Sequence, residues 1–262
     1  MNSLLKDICS RKKKEIEVLK SKCSIKSLQK LLGNKLNRDF KKLLKDSQQK
    51  EKNNIIAEIK QASPSAGVII KDYYPEDIAV KYEKAGAGAI SVLTEKNFFK
   101  GNIDHLSLIN TKTNIPILRK DFIIDPYQIY ESKVYKADSI LLIMTILEDN
   151  EIKEYIKIAN DIGLDCIIET HTLDEINRAL KINYPTIGIN NRNLDNLSVN
   201  INKTLDMIDR IPKSFTVIGE SGIKSNENIK KYNDHGVYNF LIGETILRSS
   251  NYDSIFKKLL NK

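Results

Sequence analysis

The chain has 262 residues, of which 41% are apolar and 29% charged, and its formal net charge is +8. That balance excludes a disordered polymer, and the length suits one large α/β domain with a full core. Cys9, Cys23 and Cys166 form no CxxC pair, and His105, His171 and His235 form no HxxxH or HxH pair. A disulfide framework and a zinc site are therefore excluded, and all three histidines are read as non-ligands.

The opening MNSLLKDICSRKKK lacks the apolar core of a signal peptide. Residues 1–52 are polar, Lys-rich and helix-compatible, with apolar residues at helical spacing over Leu4–Leu19 and Phe40–Leu44. The densest basic runs, Arg11-Lys12-Lys13-Lys14 and Lys41-Lys42, are not interleaved with aromatics, and the chain has no Trp. They read as a solvated surface rather than a nucleic-acid patch, which leaves a small phosphorylated substrate as the partner that suits a basic chain. The longest apolar stretch, Ile140–Leu147, is far too short to cross a bilayer. The expectations are no nucleic acid, no membrane and a cytoplasmic location.

From Ile55 onward, apolar runs recur every 20–35 residues or so, about the size of one βα unit. They are 55–59, 89–93, 115–118, 139–143, 165–168, 186–189, 215–219 and 239–243. Helix starts lie between them: Asp125-Pro126 reads as an N-cap with Pro at the first helical position, and Thr172 to Glu175 has the spacing of a capping box. Strand-like runs that each precede a helix predict a (β/α)8 TIM barrel over 53–262 with an N-terminal helical extension over 1–52, all one domain. A doubly wound open sheet is the structural alternative, but no GxGxxG or GxxxxGK[ST] is present.

Such barrels build active sites where their strands end, so the polar residues closing each run matter most. They include Glu58 and Lys60, Arg119-Lys120-Asp121-Phe122, Glu169-Thr170, Asn190-Asn191-Arg192, Glu220-Ser221-Gly222 and Gly243-Glu244. Alternation places Glu58 and Lys60 on one face. Each taken alone reads as a salt-bridge partner or a solvated end. Their recurrence at the same point of successive units is what solvated surface chemistry leaves unexplained. Ser221-Gly222 and Gly243-Glu244 close the last two runs, where barrels often bind phosphate through backbone N–H groups and a helix N-terminus.

Six ordered blocks then carry a resemblance. They are Ile56-Ala57-Glu58-Ile59-Lys60-Gln61-Ala62-Ser63-Pro64-Ser65-Ala66-Gly67; Ser91-Val92-Leu93-Thr94-Glu95 with Phe98-Phe99-Lys100-Gly101; and Leu118-Arg119-Lys120-Asp121-Phe122-Ile123. The others are Glu169-Thr170-His171, Gly188 through Leu194, and Glu220-Ser221-Gly222-Ile223. Together they resemble the indole-3-glycerol-phosphate synthases from about Ile55 to Leu247. Gln61 stands where many relatives carry Arg, and Ala66 where many carry Lys.

The resemblance implies ring closure, decarboxylation and dehydration of 1-(2-carboxyphenylamino)-1-deoxyribulose 5-phosphate to indole-3-glycerol phosphate, in tryptophan biosynthesis, without cofactor or metal. It assigns Lys120 to stabilise and protonate the carbonyl oxygen, and Lys60 to hold the substrate carboxylate and to act as acid in the dehydration, with the division of the steps between the two lysines left open. Glu169 becomes the base of the dehydration, Glu58 aligns the lysines and Asn190 orders the substrate. Ser63, Arg192, Glu220, Ser221, Gly222, Gly243 and Glu244 are the substrate- and phosphate-binding residues, with Phe122, Pro64 and Leu142 as an apolar wall. A monomer or weak homodimer is expected. The competing readings are a Schiff-base aldolase using Lys60 or Lys120, a phosphate-binding barrel isomerase, and a non-catalytic basic binding protein.

Overall fold

The apolar runs become eight strands: β1 (Asn54–Ile59), β2 (Ala89–Leu93), β3 (Ile117–Lys120), β4 (Ser139–Ile143), β5 (Asp165–Thr170), β6 (Thr186–Asn190), β7 (Thr216–Glu220) and β8 (Asn239–Ile242). The computed structural model describes residues 3–33, 37–193 and 197–261. Each strand pairs in parallel with its neighbours in the chain, and β8 returns to β1 in register from Asn54↔Asn239 to Ala57↔Ile242. The sheet is a closed barrel with helices in its crossovers, as expected. A short hairpin of Ala62–Ser63 with Gly67–Val68 follows β1. One boundary moves: β3 begins after Pro116, which has no N–H for the ladder, and runs on through Lys120.

Side-chain alternation divides every strand between two cores. Ile56, Ala89, Leu118, Leu141, Ile143, Ile167, Ile218 and Leu241 fill the barrel. Ile55, Ala57, Ile59, Ile90, Val92, Ile117, Ile140, Leu142 and Ile168 pack in the layer beneath the helices.

Three helices precede the barrel: α1 (Ser3–Lys22), α2 (Ile25–Lys30) and α3 (Phe40–Gln49). Asp39 caps α3 by accepting from Lys42 N at 2.8 Å. Phe40 and Leu44, both fully buried, enter the inner core from the strands' N-terminal end. Asn239 Nδ2 donates to Leu44 O, Gln48 Nε2 to Phe215 O, and Lys41 N to the Asp165 carboxylate, each at the start of a strand.

The far end of the extension corrects the reading of the basic run as a wholly solvated face. Lys12 is 3% exposed and pairs with Asp121 and Glu15, each at 3.1 Å. Asp121 also meets Arg119 Nη2 at 3.2 Å and accepts from the Thr94 hydroxyl at 2.6 Å, while Arg119 Nη1 pairs with Glu131 at 2.8 Å. Burial lowers the Lys12 pKa, but Asp121 and then Glu15 outweigh it and the net shift is upward, so the ammonium stays charged.

The helix starts hold in part. Asp125 accepts from Tyr127 N at 2.9 Å with Pro126 opening the helix. Thr172 accepts from Glu175 N at 3.2 Å, but the capping box is not completed: the Glu175 carboxylate accepts instead from His171 N (2.6 Å) and the Thr145 hydroxyl (2.7 Å). No helix among the described residues is long and apolar enough to cross a membrane.

Candidate active site

Where the inner apolar layers end, the next inward position on several strands is charged or polar. Ile56 is followed inward by Glu58, Leu118 by Lys120, Ile167 by Glu169 and Ile218 by Glu220. Together with Lys60 and Asn190 they line a cavity of about 860 Å³ at the C-terminal end of the barrel. Its apolar lining includes Leu93, Phe99, Phe122, Leu141, Ile143 and Ile201.

The charges in this cavity are mutually arranged. Lys120 Nζ lies 3.0 Å from Glu169 Oε2 and 3.6 Å from Glu220 Oε2, and Lys60 pairs directly with Glu58. Burial pulls the Lys120 pKa down, but the charges of Glu169, Glu220 and Glu58 more than offset it, so the shift is upward and the lysine is an ammonium. Burial pushes Glu169 up, yet Lys120 and then His171 reverse this and hold it low and ionised. Glu220 goes the other way: burial, then the charge of Glu169, raise it well above the ordinary carboxylate range. Neither Glu220 oxygen has a hydrogen-bond donor among the described residues. Beside this one ammonium the two buried acids are pushed in opposite directions, Glu169 down and Glu220 up, as expected of two carboxyls this close together.

The loops after β7 and β8 form the other side. Ser221 and Gly222 both have positive φ, 65° and 77°. A Cβ on Gly222 would collide with Val199. A Cβ on Gly243 would collide with the Glu58 carboxylate and approach Lys60 Nζ to 3.1 Å, so a larger residue would have to push that ion pair aside. The one-turn helix Glu244–Leu247 starts here. Arg192, Lys224 and Arg248 add cationic lining. Arg248 Nε donates to Glu244 at 2.8 Å, and this bond is the first cause of a lowered Glu244 pKa. Asn190 Oδ1 accepts from Arg192 N at 3.0 Å, and Arg192 Nη1 donates to Leu197 O at 2.9 Å. Leu194, part of the same motif, lies outside the described residues.

Of the residues singled out from the sequence, Glu58, Lys60, Lys120, Phe122, Glu169, Asn190, Arg192, Glu220, Ser221, Gly222, Gly243 and Glu244 line this one cavity. Three do not. Leu142 is fully buried in the outer core, because alternation sends Leu141 and Ile143 inward and Leu142 out. Ser63 is turned into the hairpin, where its hydroxyl accepts from Ala66 N at 3.2 Å, and Pro64 stands exposed at the turn. Sequence reasoning passed over Lys224 and Arg248. Arg248 was findable, since it lies one helical turn beyond Glu244.

A closed parallel barrel whose strand ends present paired lysines and carboxylates, beside glycine turns and cationic arginine and lysine side chains, defines a (β/α)8-barrel enzyme of the kind that handles small anionic molecules. Solved structures of this architecture include a 3-hexulose-6-phosphate synthase, at TM-score 0.63 and 12% identity over 79% of this chain and 98% of that one. The N-acetylmannosamine-6-phosphate 2-epimerase of Clostridium perfringens gives 0.61 and 18% over 82% and 95%. These likenesses establish the fold alone. Residues 5–259 match the family model for indole-3-glycerol phosphate synthase. Proteins of that name are 42% identical in Legionella pneumophila strain Paris, with 99% of both chains covered, and 38% identical in Delftia acidovorans, again over 99% of both. The chain belongs to the indole-3-glycerol phosphate synthase family.

Proposed function

We propose that this cavity performs the family's reaction through the lysine–carboxylate cluster. That reaction is the ring closure, decarboxylation and dehydration of 1-(2-carboxyphenylamino)-1-deoxyribulose 5-phosphate to indole-3-glycerol phosphate, a decarboxylating lyase step of tryptophan biosynthesis. The observation that carries the assignment is the position of Lys120: an ammonium inside the cavity, 3.0 Å from Glu169 and 3.6 Å from Glu220.

Ring closure places negative charge on the ketone oxygen as the aromatic carbon attacks. A positioned ammonium stabilises that oxygen and gives it a proton. Lys120 is suited to this because the acidic groups around it, Glu169 first, keep it protonated until substrate arrives. The same fact weighs against a Schiff-base aldolase, since an ammonium has no lone pair with which to attack a carbonyl. Loss of carbon dioxide then restores the aromatic ring. Dehydration needs one group to protonate the departing hydroxyl and another to remove a proton from carbon. Glu169, held ionised, takes the second role, and Glu58 holds Lys60 for the anionic end of the substrate. Leu93, Phe99, Phe122 and Ile143 offer an apolar wall to the aromatic ring. Arg192, Arg248 and the backbone at Ser221-Gly222 and Gly243-Glu244 suit the phosphate, the last two with the open N–H groups of a helix start.

Lys120→Ala and Glu169→Gln test the assignment. Each is expected to lower turnover by about 10²–10⁴-fold, the range of a proton-transfer group, while circular dichroism shows a folded barrel. Wild-type rates of indoleglycerol phosphate formation, followed by fluorescence, would overturn it. Trapping of a lysine adduct by borohydride with substrate would favour the aldolase reading.

A further inference from the structure

Lys120 reaches one oxygen of Glu169, and a histidine that the chemistry above does not use faces the other. His171 follows β5 by one residue, with its side chain almost wholly buried. Its Nε2 lies 3.4 Å from Glu169 Oε1, close enough for an ion pair but not aligned as a hydrogen bond. Its Nδ1 lies 3.3 Å from the Thr145 hydroxyl and 3.6 Å from Glu175 Oε2. Thr145 donates its hydroxyl hydrogen to Glu175 Oε1 at 2.7 Å, so toward the ring its oxygen can only accept. Both ring nitrogens therefore face acceptor oxygens. A neutral imidazole has one N–H and would set its lone pair against one of them. Only the imidazolium offers a hydrogen to each side.

This cradle gives up a standard feature of the local fold. Glu175 lies in the first turn of the helix Leu173–Ile182, where a completed capping box would turn its carboxylate back on Thr172 N. It accepts instead from His171 N, at 2.6 Å, and from Thr145. Burial pushes Glu175 up, yet His171 and then Thr145 bring it below the ordinary carboxylate range, so it meets the ring as an anion.

We infer that His171 is a positioning residue, an imidazolium clamped between Glu169 and Glu175 that fixes the second oxygen of Glu169 and keeps that carboxylate ionised as the base. The inference rests on the reading of Glu169 as the base of the dehydration. With Lys120 Nζ 3.0 Å from Oε2 and His171 Nε2 beside Oε1, the carboxylate is gripped at both oxygens. The charged groups that bear on the ring are Glu169 on β5 and Glu175 on the following helix. Beyond Glu169 lie Lys120 on β3 and Glu220 on β7. His171 touches Glu169 rather than substrate and exchanges no proton during turnover.

Nitrogen-15 NMR of histidine-labelled protein reads the ring directly. The chain has three histidines, so His105→Gln and His235→Gln assign the His171 signals by elimination. Both His171 ring nitrogens are expected to carry hydrogen at pH 7. A neutral ring at that pH in the unaltered protein would overturn the inference, whether or not any His171 variant folds. His171→Gln keeps a polar side chain of similar reach without the charge. It is expected to lower kcat about tenfold with KM unchanged, short of the ~10²-fold or more lost with the base itself. The acid limb of its kcat/KM profile should move to higher pH, because one of the two cations that keep Glu169 ionised is gone. A purely structural role would lower the melting temperature and leave that limb in place, so a folded His171→Gln with the wild-type limb would also overturn the inference. Wild-type turnover by Glu169→Gln would instead remove the base on which it stands, which is a separate failure.

Discussion

The two mouths of this barrel are built from the same eight strands and are chemically opposite. At the N-terminal end, α3 inserts Phe40 and Leu44 into an apolar floor and ties its backbone to the strand starts through Asn239, Gln48 and Asp165. At the C-terminal end, two residues further along four of the strands, the inward positions become Glu58, Lys120, Glu169 and Glu220, which line the cavity. A charge at the floor would cost several kcal/mol with nothing to repay it. At the mouth the charges repay one another and wait for a ligand. One end therefore carries stability and the other carries chemistry, and the N-terminal extension serves both, since α1 reaches the mouth through Lys12.

The largest effect on stability is expected at the floor. Phe40→Ala removes a fully buried ring and should cost about 3–5 kcal/mol in urea unfolding, with KM and kcat of the surviving folded fraction close to wild type. A variant that kept its stability but lost activity would reverse the division of labour between the two ends.

Lys12→Met is expected to come next. It leaves Asp121 buried with one cation, Arg119, in place of two. Removing one partner of a buried pair costs up to about 3–5 kcal/mol when nothing remains, so with Arg119 still present about 2–3 kcal/mol is the expected loss. Since Asp121 adjoins Lys120 in the chain, activity should fall as well, unlike at Phe40. Equal stability of Lys12→Met and wild type would return Lys12 to the solvated surface that its neighbours Arg11, Lys13 and Lys14 suggest.

What the sequence made legible follows from the same division. The strands were readable because aliphatic runs between helix signals have few other meanings, and the charged mouth was readable because a Lys or Glu at an inward strand position has no apolar excuse. Leu142 was misplaced because Ser139–Ile143 has no charged residue to mark which alternate faces inward; only pairing to β5, with Ile143 opposite Glu169, sets its phase. Lys12 was missed because a lysine on a helix looks the same whether its acidic partner is water or a distant Asp121. His171 was set aside because it belongs to no ligand pair, and its partners Thr145 and Glu175 come from different elements.

The smallest effect, and the most specific to the charged mouth, is expected from Glu220→Gln. Its carboxyl is raised well above the usual range by burial and by the charge of Glu169. A folded-state pKa above the unfolded value of about 4.3 means that the native chain binds a proton that the unfolded chain has released. Its contribution to stability is complete below that unfolded value and is lost as pH rises toward the folded one. Glutamine keeps the shape of the protonated carboxyl and has no proton to retain. Glu220→Gln should therefore gain on wild type as pH increases above the unfolded value. Turnover would fall in the same variant, because glutamine cannot exchange the proton that Glu220 holds against Glu169. A stability difference that stayed flat across this range would mean that Glu220 is ionised beside Glu169, with Lys120 neutralising both. The opposed shifts of Glu169 and Glu220 at the mouth would then give way to a lysine between two carboxylates.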